Sequence, residues 1–271
     1  MSILNKIRHK IISEFRSVLW YIDYYHERGR INSIKTKCGL SPQGVKLIIV
    51  PHVDDEWIGC SQVLMRFPNS VICDLDMPGG DSTIIHEKRK TELLNAAKYL
   101  KRNILNIGFD KSKRLESVIR EWDCTELFIP FFIDWHPEHL EVIDIIEEAI
   151  KNLNKNITIY MYQVSVPIRL CDVNEVLAMT KRDSQNKWLL FKRFYRTQLH
   201  LPVKRFILQE RINGAFSDSY SAEVFCRMDR EEWLAVKSKY QLTDLQRKEL
   251  LKGLNNIGKT RENVERILKT E

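Results

Sequence analysis

The chain has 271 residues, with 43 Lys and Arg against 36 Asp and Glu, a net charge of +7 and 44% hydrophobic residues. This balance excludes a disordered or fibrous chain, and the length suits one large domain with appendages and a sizeable core. The closest two of the six cysteines, Cys60 and Cys73, are thirteen residues apart, which excludes zinc-finger and thioredoxin-type CxxC frameworks.

The N-terminus is charged and lacks a small-residue cleavage site, and no long uncharged run occurs. Neither a secretory leader nor a spanning helix is expected, and the reading is a cytoplasmic protein with reduced thiols. In residues 1–30, Leu4, Ile7, Ile11, Phe15, Val18 and Ile22 recur at steps of three and four, with Lys6, Arg8, Lys10 and Arg16 over much of the rest. This predicts an amphipathic helix whose apolar stripe packs on the domain. The alternative is peripheral membrane contact, a basic helix resting on an anionic lipid surface.

From Val45 the pattern changes. Val45–Val50 is a short apolar run ending at Pro51, and similar runs follow at Ser70–Leu75, Ile104–Phe109, Leu127–Ile133 and Ile157–Val164. These read as buried strands. Helical stretches at Trp57–Phe67, Ile84–Lys101, Lys111–Trp122 and Glu138–Leu153 lie between them. The alternation predicts an α/β fold with a Rossmann-like, doubly wound, mostly parallel sheet. Ligands of such sheets bind beyond the carboxyl ends of the strands. Beyond residue 165 the pattern weakens. Residues 181–205 carry eight basic side chains against Asp183 alone, an excess equal to the net charge of the chain. Residues 229–271 read as polar helices. The expected division is an N-terminal helix and connector over 1–44, a catalytic domain over 45–228 and a C-terminal helical extension over 229–271.

The strongest chemical feature is Pro51-His52-Val53-Asp54-Asp55-Glu56, directly after the first strand. If the turn opens a helix, His52 and Asp55 can converge on one metal ion, leaving Asp54 to handle protons. Mixed N/O ligands with an open position suit a catalytic zinc. A third ligand is needed, and Asp134-Trp135-His136-Pro137-Glu138-His139 follows the fourth strand at the same edge. Either histidine could bind metal, with the other stabilising charge or donating a proton. Either cluster alone could be a polar helix start; two at one sheet edge make a joint accident improbable. Gly79-Gly80-Asp81 follows the second strand, where glycine permits close backbone approach.

PHVDDE followed by WIGC resembles the PHPDDE-x-x-G-C signature of the LmbE/PIG-L zinc-dependent N-deacetylases, and HPEH resembles that family's HPDH. Arg89–Leu93 with Ala96-Ala97 is similar to its R-x-x-E-L stretch, and Ile107–Asp110 to its L-G-x-x-D segment. Tyr195–Gln198 is similar to Y-x-S-Q, and Ala222–Phe225 to A-E-x-F. The likeness spans about Val45 to Phe225. Val53, Glu138 and Thr197 depart from the family's Pro, Asp and Ser, and none of these deletes a ligand.

The resemblance implies that His52, Asp55 and His139 bind one zinc per chain. It makes Asp54 the general base and a protonated His136 the oxyanion stabiliser, with Asp134 and Glu138 orienting histidines. Arg89 and Asp110 are the expected substrate contacts; on its helix Arg89 could equally pair with Glu92.

The expected activity is removal of the N-acetyl group from an amino sugar. The basic segment suggests a nucleotide- or lipid-phosphate-linked sugar of cell-envelope glycan synthesis, with small-thiol metabolism as the alternative within this chemistry. A nucleic-acid partner is not expected, because no helix-turn-helix, zinc-finger or RNP-type signature accompanies the charge. A catalytically inactive glycan-binding protein is disfavoured by the complete ligand set. The sequence leaves a homo-oligomer open.

Overall fold

The computed structural model describes residues 3–31, 40–254 and 256–269. Helix α1 (Ile3–Arg30) precedes an alternating series: β1 (Lys46–Val50), α2 (Asp55–Arg66), β2 (Ser70–Asp74), α3 (Thr83–Leu100), β3 (Asn103–Asn106), α4 (Lys111–Glu121), β4 (Glu126–Pro130), α5 (Pro137–Ile150) and β5 (Thr158–Tyr162). Then come β6 (Glu175–Met179), α6 (Lys181–Phe194), α7 (Val203–Asn213), β7 (Ser221–Asp229), α8 (Arg230–Val236), α9 (Asp244–Gly253) and α10 (Ile257–Lys269). The sheet order is β3-β2-β1-β4-β5-β7-β6. The first five strands run parallel, and β7 is antiparallel to both β5 and β6.

Both faces are covered, as a mostly parallel sheet requires. Leu47 and Ile49 of β1 join the core beneath α4, α5 and α8–α10, while Ile48 and Val50 join the opposite core under α2, α3, α6 and α7. Alternate strand residues point to opposite faces, so one five-residue strand feeds both cores. This double covering is why β1 reads as a continuous apolar run.

Two predicted strands end early. The third stops at Asn106, and Phe109 is fully exposed beyond it. The fourth stops at Pro130, which has no N–H to continue a ladder. Phe131–Ile133 stay buried while carrying the chain out of the sheet. The sequence reading missed β6 and β7. Both bury polar residues, Glu175, Ser221 and Glu223, which interrupt the apolar run that marks an interior strand.

Helix α2 is kinked at Cys60 (φ −135°, ψ 19°). The freed backbone groups find side chains from distant elements. Lys187 donates through Nζ to the Ile58 carbonyl at 2.8 Å, and Glu223 accepts from the Gln62 N–H at 2.9 Å. Lys187 also meets Glu223 at 2.8 Å and Glu210 at 2.6 Å, all three buried. The predicted basic segment is therefore no uniform surface patch: Lys187 and Arg205 are core residues, and the Arg193 guanidinium lies against the Tyr99 and Phe194 rings. At Gly59 a Cβ would come within 2.3 Å of the Tyr162 ring, so only glycine lets β5 approach α2.

The N-terminal helix packs through a different face from the predicted one. Trp20, Tyr24 and Glu27 are buried, and Trp20 and Tyr24 pack with Leu208 and Ile212 of α7 and Ile257 of α10. Glu27 meets the buried Arg261 at 3.3 Å. Phe15, Val18 and Ile22 of the expected stripe are exposed. Aromatic bulk decides the packed face, since one large ring buries more area than an aliphatic chain. Leu4, Ile7 and Ile11 lie outside the described side chains, and Cys38 and most of the connector lie outside the described residues. Among the described residues no disulfide joins the cysteines, and no helix is long and apolar enough to cross a membrane.

Candidate functional site

Strands β1 and β4 are neighbours, yet β1 connects onward to β2 on its other side. The chain reverses its winding between them, and this switch point opens a crevice at the carboxyl edge. The two histidine-bearing segments leave the sheet there, side by side. Asp55 is the first residue of α2. His136 is the N-cap of α5, Pro137 sits at its first position, where a missing N–H is harmless, and His139 lies in its first turn.

Three atoms converge. His52 Nδ1 is 3.1 Å from His139 Nε2 and 3.3 Å from Asp55 Oδ2, and His139 Nε2 is 3.2 Å from the same carboxylate oxygen. Ligands bonded to a tetrahedral ion at about 2.0–2.2 Å stand about 3.3–3.5 Å apart, so this triangle has the size of one face of such a site. The donor set, two imidazoles and a carboxylate, also fits. His136 joins more loosely: the imidazoles of His52, His136 and His139 can each offer an atom within 4.8 Å of the others.

Each tight histidine has a carboxylate on its far nitrogen. Asp134 is 3.0 Å from His139 Nδ1, and Glu138 is 2.5 Å from His52 Nε2. This arrangement fixes the ring orientation and frees the inner nitrogen for a metal. The extra methylene of Glu138 is taken up by reach across to His52, where Glu138 also accepts the Gly79 N–H at 2.9 Å. Gly79 has φ +61°, and a Cβ there would stand 3.1 Å from His52 Cδ2. Both the backbone angle and the space demand glycine.

Burial alone would raise the Asp55 carboxyl, but the charges and hydrogen bonds of His139 and His52 outweigh it and hold Asp55 low. Burial lowers His139, yet Asp134 and Asp55 overcome it and raise the ring well above its ordinary value. Asp54 is raised well above the carboxylate range by burial and by Asp55 and Glu56; a bound cation would pull it back. Its backbone has φ 120°, and its N–H donates to Glu56 at 3.0 Å. Tyr195 donates its hydroxyl to the other Glu56 oxygen. Burial lifts Glu56 to about 7. Burial and the rings of His52 and His139 lower His136, which favours its neutral form over the charged one expected from the motif. Its Nδ1 accepts the Glu138 N–H at 3.3 Å, so Nε2 carries the hydrogen.

The site opens into a pocket of about 200 Å³ lined by His52, Asp54, Asp55, His136 and His139, with Arg89 and Gln198. Arg89 pairs with Asp81 at 2.9 Å. Glu92 instead accepts from the Thr197 N–H and hydroxyl at 2.9 and 2.6 Å. Asp110 does not line the pocket. It follows β3 at the sheet edge, two strands from the switch point, where it is exposed and pairs with Lys113 at 3.0 Å. Arg193 and Arg196 do not line it either. The residue missed at the sequence level is Gln198. It is fully buried, and both amide atoms lack a hydrogen-bond partner. Its position at the end of the Tyr195–Gln198 motif was the available clue.

No family model matches the chain, and no curated protein matches its sequence. Among solved structures, the chain is similar to the conserved protein TT1542 from Thermus thermophilus, at 21% identity over 68% of this chain and 94% of that one, with a TM-score of 0.56. It is similar to Dbv21, a deacetylase of the A40926 pseudoaglycone, at 14% identity over 69% and 98%, with a TM-score of 0.52. It is also similar to GalB, a 4-carboxy-2-hydroxymuconate hydratase from Pseudomonas putida, at 12% identity over 69% and 96%, with a TM-score of 0.50. One is a deacetylase and one a hydratase, so the fold alone does not select the reaction. The PHVDDE and HPEH motifs lie together at this crevice with Arg89 and Gln198, and the chain has the fold of the LmbE/PIG-L-type deacetylases.

Proposed function

We propose that the protein is a metal-dependent N-deacetylase of an N-acetylated amino sugar, with zinc as its metal. The triangle of His52 Nδ1, Asp55 Oδ2 and His139 Nε2, with edges of 3.1 to 3.3 Å, carries this reading. Zinc bound there would supply a water that ionises near neutral pH and would polarise the amide carbonyl.

The chain's own residues supply the remaining chemistry. Asp54 accepts a proton from the attacking water as its oxygen adds to the acetamide carbon. The hydrogen on His136 Nε2 bonds to the developing oxyanion, a contribution of about 3–4 kcal/mol at such sites. Asp54 then passes its proton to the departing nitrogen as the C–N bond breaks, leaving acetate and an amine. Tyr195 and Glu56 hold the Asp54 backbone in its strained conformation. Gln198, with a free donor and a free acceptor, suits a sugar hydroxyl. Arg89, steadied by Asp81, suits a hydroxyl or phosphate oxygen, which favours a nucleotide- or lipid-phosphate-linked sugar.

Acetate release from a panel of N-acetyl sugars, free and phosphate-linked, tests the proposal with zinc-loaded protein. Release from at least one sugar, lost in Asp54→Asn, is the expected result. Fully metal-loaded protein that releases no acetate from any of them would refute it.

A further inference from the structure

Helix α1 forms one wall of a second cavity beside the catalytic pocket. This groove of about 650 Å³ runs between α1 and the segment 199–204, which follows the Tyr195–Gln198 motif. Its apolar lining comes from Ile12 and Trp20 of α1 and from Leu199, Leu201 and Val203. Leu199 is 52% exposed and Ile12 38%, so apolar surface is left open to a ligand. Arg16, Lys192 and Lys204 also line the groove, all three exposed, and no Asp, Glu, Asn or Gln does so among the described residues.

The two cavities share a wall. Gln198 lines the pocket, Leu199 and His200 line the groove, and Leu201 borders both. The Leu201 N–H donates to the Gln198 carbonyl at 3.0 Å and closes this tight turn. Further along, Lys204 lines the groove and Phe206 the pocket. Arg205 between them is buried; its Nη2 donates to the Ser165 carbonyl at 2.9 Å, and its Nε has no hydrogen-bond partner. Solvent screens a buried cation less than an exposed one, so Arg205 favours an anion in either cavity.

We infer that the groove is a substrate subsite for a phosphate carrying an apolar chain, attached to the sugar whose acetamide enters the pocket. This rests on the N-deacetylase reading. The cations meet the phosphate, and Ile12, Leu199 and Val203 cover the chain. A nucleotide fits less well, because a base needs placed hydrogen-bonding groups and the groove offers no carboxamide or carboxylate side chain. Arg89 lines the pocket and not the groove, so it serves the sugar end and the groove serves what lies beyond. Helix α1 precedes Val45, where the family resemblance begins, so the resemblance does not itself supply this wall.

Calorimetric titration of the full chain tests this with four probes: octyl phosphate below its micelle-forming concentration, octyl glucoside, uridine monophosphate and inorganic phosphate. Burying a methylene strengthens binding up to about fourfold, so octyl phosphate should bind about a hundredfold or more tightly than inorganic phosphate. It should also bind more tightly than octyl glucoside and uridine monophosphate. An exposed ion pair contributes up to about fivefold, so Lys192→Ala with Lys204→Ala should weaken octyl phosphate by about five- to twentyfold. The same variant should leave octyl glucoside unchanged. Leu199→Ser should weaken both octyl compounds and leave inorganic phosphate unchanged. In turnover, both variants should raise KM for a lipid-phosphate-linked N-acetyl sugar and leave KM for the free sugar unchanged. Octyl phosphate bound no more tightly than inorganic phosphate, or bound equally by parent and both variants, would overturn the inference. So would tighter binding of uridine monophosphate that the lysine variant loses, which would assign the groove to a nucleotide. Binding is read without turnover. Protein that binds octyl phosphate through Lys192 and Leu199 yet releases no acetate would therefore refute the deacetylase reading, while the subsite for the phosphate and its chain stands.

Discussion

His52 and His139 stand 3.1 Å apart through Nδ1 and Nε2, although 87 residues separate them in the chain. Neither end of the pair is free to drift. Glu138 holds the far side of His52, and Asp134 holds the far side of His139. Two imidazole nitrogens this close, with Asp55 Oδ2 at a similar distance from both, gain most from a cation placed between them.

The protein should hold about one divalent ion per chain, zinc by the donor chemistry. His52→Ala or His139→Ala should abolish binding. Asp134→Asn or Glu138→Gln should weaken it about 10–100-fold, because they loosen ring orientation without removing a ligand. Elemental analysis and competition with a chelator measure both. Unaltered affinity in the Asp134 and Glu138 variants would show that the far-side carboxylates do not orient the rings.

Asp54→Asn should retain the metal and lower kcat by about 10²–10⁴-fold. Loss of the metal instead would assign Asp54 to coordination and leave Asp55 as the base. The paired measurement of metal content and turnover separates the two.

Gln198→Met should separate stability from binding. A buried amide without partners costs about 1–3 kcal/mol, and methionine fills a similar volume without that cost. The thermal midpoint should match or exceed that of the parent, while KM rises severalfold. A lower midpoint would show that Gln198 is satisfied within the protein.

Arg89→Ala should raise KM for a phosphate-linked N-acetyl sugar more than it lowers kcat, since phosphate contact away from the amide is uniform binding. Arg193→Ala and Arg196→Ala should leave KM unchanged, because neither residue lines the pocket. A KM effect at Arg193 equal to that at Arg89 would place the phosphate elsewhere.

Lys187→Met should destabilise the fold by about 3–5 kcal/mol, read as a lower midpoint in urea. It leaves Glu210 and Glu223 charged and buried without their cation. It also removes the donor to the Ile58 carbonyl at the α2 kink. A change below about 1 kcal/mol, the range of exposed pairs, would mean the cluster is hydrated.

By itself the sequence determined the α/β alternation, the edge at which the two histidine clusters emerge and the identity of the converging side chains. Those features are local. An apolar run bounded by Pro51, or a His-Pro-Glu-His start to a helix, is written within a few residues and survives any packing. Tertiary structure decided the rest. β6 and β7 escaped because their buried polar residues interrupt the apolar run, and Glu223 is satisfied by partners from other elements: Ser61 and Lys187 meet it from α2 and α6. The basic segment read as one surface because charge counts carry no burial, yet Lys187 is a core cation and Arg193 lies against aromatic rings. Asp110 sits after a strand like the residues that converge at the crevice, but strand order puts β3 at the sheet edge. For helix α1 the periodicity pointed to the stripe that holds Phe15, Val18 and Ile22. Trp20 and Tyr24 prevailed over Phe15 and Val18 because the rings meet Leu208, Ile212 and Ile257, and only the folded neighbours could select that side.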